Sequence, residues 1–171
     1  MDVQPEPPYD AAAIISALQR HRVRFVVIGG VAAIAQGSPL PTEDMDITPD
    51  GTPDNLEALA AALIDLDAKL RTPDDPIPFP IDAKVLAGNT VWTLETRAGS
   101  LDLCFEPSGT RGYEDLRRGA LQIDLGSGTP APVASLTDVI RSKEAANRLK
   151  DQGQLPALRQ TLEEIRKLEG R

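Results

Sequence analysis

Residues 23–30, VRFVVIGG, constrain this chain more than any other stretch. VRFVVI is β-branched and aromatic, which predicts a strand. Gly29 and Gly30 then remove every side chain where the chain must turn, so the backbone can approach another group closely. VAAIAQ predicts a short helix opening at that turn and stopping at Gly37, with its first N–H groups free to meet a phosphate. SPLPT reads as a loop. EDMDIT (43–48) alternates polar and apolar, so a second strand follows. Residues i and i+2 of a strand share a face. Asp44 and Asp46 should therefore project together while Met45 and Ile47 enter the core. Two carboxylates side by side repel unless a cation lies between them, and a divalent ion is the natural counter-charge.

Composition narrows the chemistry. The single histidine, His21, argues against a His-rich zinc site or a Ser-His-Asp triad, and its place in QRHR suggests a helix C-terminus. The single cysteine, Cys104, excludes an internal disulfide and an all-cysteine metal site. A bound metal should then be oxygen-ligated, as Mg²⁺ or Mn²⁺ are. A net charge of −8 argues against bulk, non-specific nucleic-acid binding but not against a local basic patch. No apolar run approaches the roughly 20 residues that span a bilayer, and the acidic, Pro-rich start is unlike a signal peptide, so a cytoplasmic protein is expected.

With 171 residues the chain suits one domain. We expect a loose arm over 1–9, a core over 10–134, and a C-terminal helical extension of the same domain over 135–171. Helical spacing predicts a helix over 10–21 and another over 56–70, with Thr52 or Asp54 as cap and Pro53 in its first turn. VWTLET (91–96) and SLDLCFE (100–106) form a hairpin around RAGS. A short helix in TRGYEDLRR and a strand in ALQIDLG (120–126) follow. SLTDVIRSKEAANRL predicts a helix capped by Ser135 or Thr137. KDQGQLP (150–156) is expected to interrupt it before a last helix over 155–169. The fold class is α+β (α/β), a small mixed sheet flanked by helices with a C-terminal helical pair.

Neither G-x-G-x-x-G nor a P-loop lysine is present. The combination in 28–47 is more specific than its parts. Ile28-Gly29-Gly30, a short helix and Asp44-Met45-Asp46-Ile47 resemble the signature of the DNA polymerase β-like nucleotidyltransferase superfamily. That signature runs hydrophobic-Gly-Gly/Ser, then Asp-h-Asp/Glu-h. Its usual third carboxylate, on a later strand, would be Asp102 in SLDLCFE.

The resemblance narrows to the AbiEii-type, or MenT-like, toxin nucleotidyltransferases. Their late helix, h-h-x-x-K-x-x-A-x-R-x-K-D, is matched by VIRSKEAANRLKD, giving Lys143, Arg148, Lys150 and Asp151. It implies a nucleotidyltransferase fold and NMP transfer from an NTP. Asp44, Asp46 and Asp102 would hold Mg²⁺ or Mn²⁺, with Asp102 alternatively taking the acceptor's proton. Gly29, Gly30, Lys143, Arg148 and Asp151 would serve the nucleotide and its phosphates, Lys143 also in catalysis. The implied acceptor is the tRNA 3′ end, in a toxin with a cognate antitoxin partner. Two departures stand out: Gly30 replaces a serine hydroxyl, and the C-terminal part is short.

Rival readings are AMP transfer to a protein and a catalytically inactive binding or antitoxin module on the same fold. Antibiotic modification is less favoured, because little chain remains for a drug-binding domain. The acceptor question turns on Arg111, Arg117, Arg118, Arg141, Lys143, Arg148 and Lys150: one shared face suits an acceptor stem, and scatter suits a protein or small molecule. Trp92 reads as core or interface. Cys104 reads as a small buried hydrophobe, near the site by its parity with Asp102.

Overall fold

A computed structural model describes residues 9–170, so residues 1–8 of the expected arm lie outside the described residues. Helix α1 (Ala11–Arg20) starts on Asp10, whose carboxylate accepts the Ala13 N–H, and it buries Ile14, Ile15, Ala17 and Leu18. His21 takes the C-cap position as expected, and its ring meets Asp65 at 3.0 Å. Strand β1 (Phe25–Ile28) runs into helix α2 (Gly29–Ala35) with no intervening turn. The glycines expected to form the turn make it at the very start of α2, Gly29 with a left-handed φ of 65°. Strand β2 (Asp44–Pro49) returns antiparallel to β1, with Ile28 opposite Asp46.

Helix α3 (Pro53–Asp65) begins at Thr52, but neither Thr52 nor Asp54 caps it with a side chain. Both instead bind Arg24, through Nη2. The helix also stops short of the predicted Leu70. Asp67 takes the left-handed conformation (φ 52°), and the Ala68 N–H returns to the Leu63 carbonyl. This is a Schellman closure, which aspartate tolerates better than most residues. Lys69 and Leu70 then form strand β3 (Lys69–Leu70).

After the short helix α4 (Ala83–Leu86), strands β4 (Val91–Thr96) and β5 (Gly99–Cys104) make the predicted hairpin. Helix α5 (Tyr113–Arg118) leads to β6 (Leu121–Asp124) and β7 (Pro130–Val133). The β7 strand was not legible in the sequence because Pro130 and Pro132 make up half of its four residues. Their placement explains why they are tolerated. Pro130 and Pro132 share strand parity with Ala134, whose N–H points to the Val27 carbonyl of β1. Their missing donors thus face β1, where β7 pairs only through Val133 and Val27. The four-residue ladder to β6 keeps its donors.

The strands form one mixed sheet in the order β3-β4-β5-β2-β1-β7-β6, with β2–β5 and β1–β7 parallel. Met45, Ile47, Leu101, Leu103 and Leu94 are fully buried in its core. Helix α6 (Leu136–Ala146) is capped by Ser135, which accepts the Asp138 N–H. Helix α7 (Leu149–Glu169) completes the C-terminal pair. The predicted break at 150–156 is absent, since α7 runs through Gly153 and Pro156. Burial of Leu155 and Leu158 outweighs the cost of the proline. The real break is one turn earlier, at Asn147 (φ 50°).

Candidate active site

Parallel pairing of β2 with β5 puts Asp46 directly opposite Asp102, and Asp44 opposite Ser100. Residues opposite each other across a sheet share a face, so Ile28, Asp46, Asp102 and Thr93 form one row across β1, β2, β5 and β4. All four line a single cavity of about 830 Å³, together with Asp44 and Cys104. The three predicted carboxylates thus line one cavity, although Asp46 and Asp102 lie 56 positions apart in the sequence.

The glycines are fixed by what faces them. Gly29 has φ +65°, and a Cβ there would stand 2.5 Å from Asp46 Oδ2. A Cβ on Gly30 would stand 2.8 Å from both Cβ and Oγ1 of Thr42. The Thr42 side chain therefore occupies the space into which a serine at position 30 would extend. Gly29→Ala should strain the backbone and push Asp46 aside without removing a charge. We expect Mg²⁺-dependent NTP binding to weaken about tenfold or more by calorimetry, with the circular-dichroism spectrum unchanged. Unaltered binding would show that Asp46 does not depend on this close approach.

Burial raises the Asp46 carboxyl to about 7, reinforced by the charges of Asp102 and Asp44 and only partly opposed by Lys143 and Lys150. Burial also raises Asp102, against the opposing Arg71 guanidinium. Asp46 is thus a carboxylate in want of positive charge. Among the described residues, no three acids, histidines or cysteines converge into a ready-made metal cage. The ion pair between Asp102 Oδ1 and Arg71 Nη2 gives a physical reason. Asp44 and Asp46, two oxygen donors on one face with an unmet charge, do fit a divalent cation.

Helices α6 and α7 supply another part of the lining. Lys143, Arg148 and Lys150 line the cavity. Asp151 does not. It is fully buried behind the first two, bonded to Arg148 Nε at 2.8 Å and lying 3.5 Å from Lys143 Nζ. It also accepts the Arg148 backbone N–H in the capping box that starts α7. Its contacts here are to cations that face the cavity, rather than to the cavity itself. Lys143 additionally donates to Gln154 Oε1 at 2.9 Å.

The other predicted cations do not join them. Arg117 pairs with Glu114, Arg141 pairs with Asp115 and Asp138, and neither they nor Arg111 and Arg118 line the cavity. Trp92 behaves as a core residue, 8% exposed and stacked on Phe79. Cys104 is only half-buried, and burial pushes its thiol up.

Sequence reasoning missed Arg71, Thr42 and Tyr9. Burial and then the charges of Asp46 and Asp44 raise the Tyr9 phenol to about 12. Its buried hydroxyl has no hydrogen-bond partner among the described residues. Tyr9 had been assigned to the arm, and nothing in its sequence context tied it to the acids.

No protein-family model matches the chain, and no curated protein matches it. Solved structures match its fold. The solution structure of the antibiotic-resistance factor ANT(2'')-Ia aligns at 17% identity and TM-score 0.56, covering 88% of this chain and 80% of that one. The crystal structure of ANT(2'')-Ia with adenylyl-2''-tobramycin aligns at 16% identity and TM-score 0.55, covering 92% and 91%. A protein of Thermotoga maritima, provisionally assigned as a nucleotidyltransferase, aligns at 17% identity and TM-score 0.52, covering 88% and 89%. The chain therefore has the nucleotidyltransferase fold expected from its motifs. No helix among the described residues is long and apolar enough to cross a membrane.

Proposed function

We propose that this protein is a nucleotidyltransferase that moves an NMP from an NTP onto an acceptor hydroxyl in the cytoplasm. The observation that carries the reading is that Asp44, Asp46 and Asp102 line one cavity together with Lys143 and Arg148. Asp44 and Asp46 would hold Mg²⁺ or Mn²⁺, which supplies charge neutralisation on the triphosphate. Gly29 and Gly30 let Asp46 and Thr42 pack close against the start of α2, beside the backbone that would meet the phosphates. Lys143 and Arg148, steadied by Asp151, offset charge on the phosphates and the leaving pyrophosphate. The acceptor oxygen forms its bond to the α-phosphorus as the bond to pyrophosphate breaks, and its proton passes to Asp102. The catalytic core would span 10–134, with 135–171 as the extension that brings Lys143 and Arg148.

The late-helix motif supports the tRNA 3′ end as acceptor, and with it a toxin role and an antitoxin partner. A second reading, a small-molecule or protein hydroxyl, is favoured by the separation of Arg111, Arg117, Arg118 and Arg141 from the cavity. Label transfer distinguishes them. The protein is incubated with Mg²⁺ and each α-labelled NTP, with total tRNA, with tobramycin, or alone, beside an Asp46→Ala control. Label on tRNA that vanishes in the control supports the first reading. Label on tobramycin or on protein supports the second. No label anywhere, with no Mg²⁺-dependent NTP binding, would overturn the enzyme.

A further inference from the structure

The acids of the site are not equally available. Asp44 and Asp46 face the cavity, whereas Asp102 already has a cation. Arg71, on the segment after β3, is not a chance surface neighbour. Its backbone N–H donates to the Thr93 carbonyl at 3.0 Å, and Thr93 is the residue opposite Asp102. Its Nη1 donates to the Leu94 carbonyl at 3.4 Å, and its Nη2 donates to Asp102 Oδ1. The side chains of Arg71 and Asp102 are 29% and 23% exposed, so water screens the pair only partly. Two main-chain carbonyls of β4 therefore aim a planar guanidinium at one oxygen of the third carboxylate. Arg71 itself does not line the cavity, so it approaches Asp102 from the flank of the sheet.

We propose that Arg71 is a positioning residue that withholds Asp102 from cation binding, so that Asp44 and Asp46 alone hold a divalent ion in the nucleotide-free protein. A guanidinium bonded to Oδ1 supplies the charge that a second ion would otherwise bring, and it repels such an ion. It also fixes the carboxylate's orientation. Asp102 is thereby kept for the acceptor. This inference rests on the cation-binding reading of Asp44 and Asp46.

The test is Mn²⁺ titration of the nucleotide-free protein, read from the electron paramagnetic resonance signal of free Mn²⁺. Arg71→Gln/Asp102→Asn, which removes the pair without leaving a lone guanidinium, should keep Mn²⁺ affinity within about twofold of the parent protein, because Asp102 contributes no ligand. Arg71→Gln should bind Mn²⁺ about tenfold more tightly or take up a second ion, and Arg71→Gln/Asp102→Asn should lose that gain. Arg71→Lys keeps the charge and should stay nearer the parent. A loss on the order of tenfold in Arg71→Gln/Asp102→Asn, or no change in Arg71→Gln, would overturn the role of Arg71 while leaving the cation site standing. No Mn²⁺ bound by the folded parent protein would overturn the cation site and, with it, this inference.

Discussion

Asp46→Asn should lower nucleotidyl transfer by about a thousandfold and yet raise the stability of the cation-free protein at pH 8. The opposite signs have one cause. The carboxyl sits at about 7 in the folded chain against an ordinary 3.8, chiefly through burial and then through Asp102 and Asp44. Between those values the folded state keeps a proton that the unfolded state has released. Stability therefore falls as pH rises through this window, and above it the full cost applies. That cost is on the order of 4 kcal/mol. An amide has no such ionisation to suppress, so a gain of about 2 kcal/mol or more, some 5 °C in Tm, is expected at pH 8. The gain should shrink towards pH 4. Added Mg²⁺ should raise the Tm of the parent protein but not of the variant. Thermal melts at both pH values, with and without Mg²⁺, check this. A variant less stable than its parent at pH 8 would mean that Asp46 is not under charge stress.

Asp151→Ala should have the largest structural effect, a loss of about 3–5 kcal/mol at pH 7. The carboxylate is fully exhausted by its partners: Arg148 through Nε, Nη2 and its backbone N–H, and Lys143 from α6. Removing it leaves Lys143, only 15% exposed, without its ion pair and takes the capping box from α7. Burial raises the Asp151 carboxyl, but the bonds and charges of Arg148 and Lys143 outweigh it and hold it below the usual value. Its contribution is thus present above the unfolded-state value and lost as pH falls through the folded one. Urea unfolding at pH 7 measures the effect. A loss below about 1 kcal/mol would mean that α6 and α7 hold together by Leu155 and Leu158 without this charge.

Asp44 and Asp46 were legible because strand parity is a local rule and needs only alternation to assign a face, whereas Asp102 was picked out by the resemblance. Ser135 and the α6 helix were legible for the same reason, since cap and periodicity lie within a few residues. What failed was set at longer range. LIDLDAKL keeps helical spacing past Asp65, and only the left-handed Asp67 turns Lys69 and Leu70 into β3. With β3 hidden, Arg71 had no visible address beside Asp102. The prolines of β7 forbid a strand by local rule and are tolerated only because of which neighbour their nitrogens face. Gly153 and Pro156 should break α7, yet the packing of Leu155 and Leu158 holds it. The cation cluster was half legible: the motif gave Lys143, Arg148 and Lys150, but pairing removed Arg117 and Arg141.

The late insertion of β7 between β1 and β6 has a consequence for synthesis. A chain leaving the ribosome completes β1 and its β2 partner long before residues 130–133 are made. Until then the far edge of β1, a run of Phe25, Val26 and Val27, lacks its eventual neighbour. An open, apolar edge of this kind is a template for pairing with another nascent chain. Translation pauses or truncations before residue 134 should therefore send this protein into aggregates, even though Asp44, Asp46 and Asp102 have already been made.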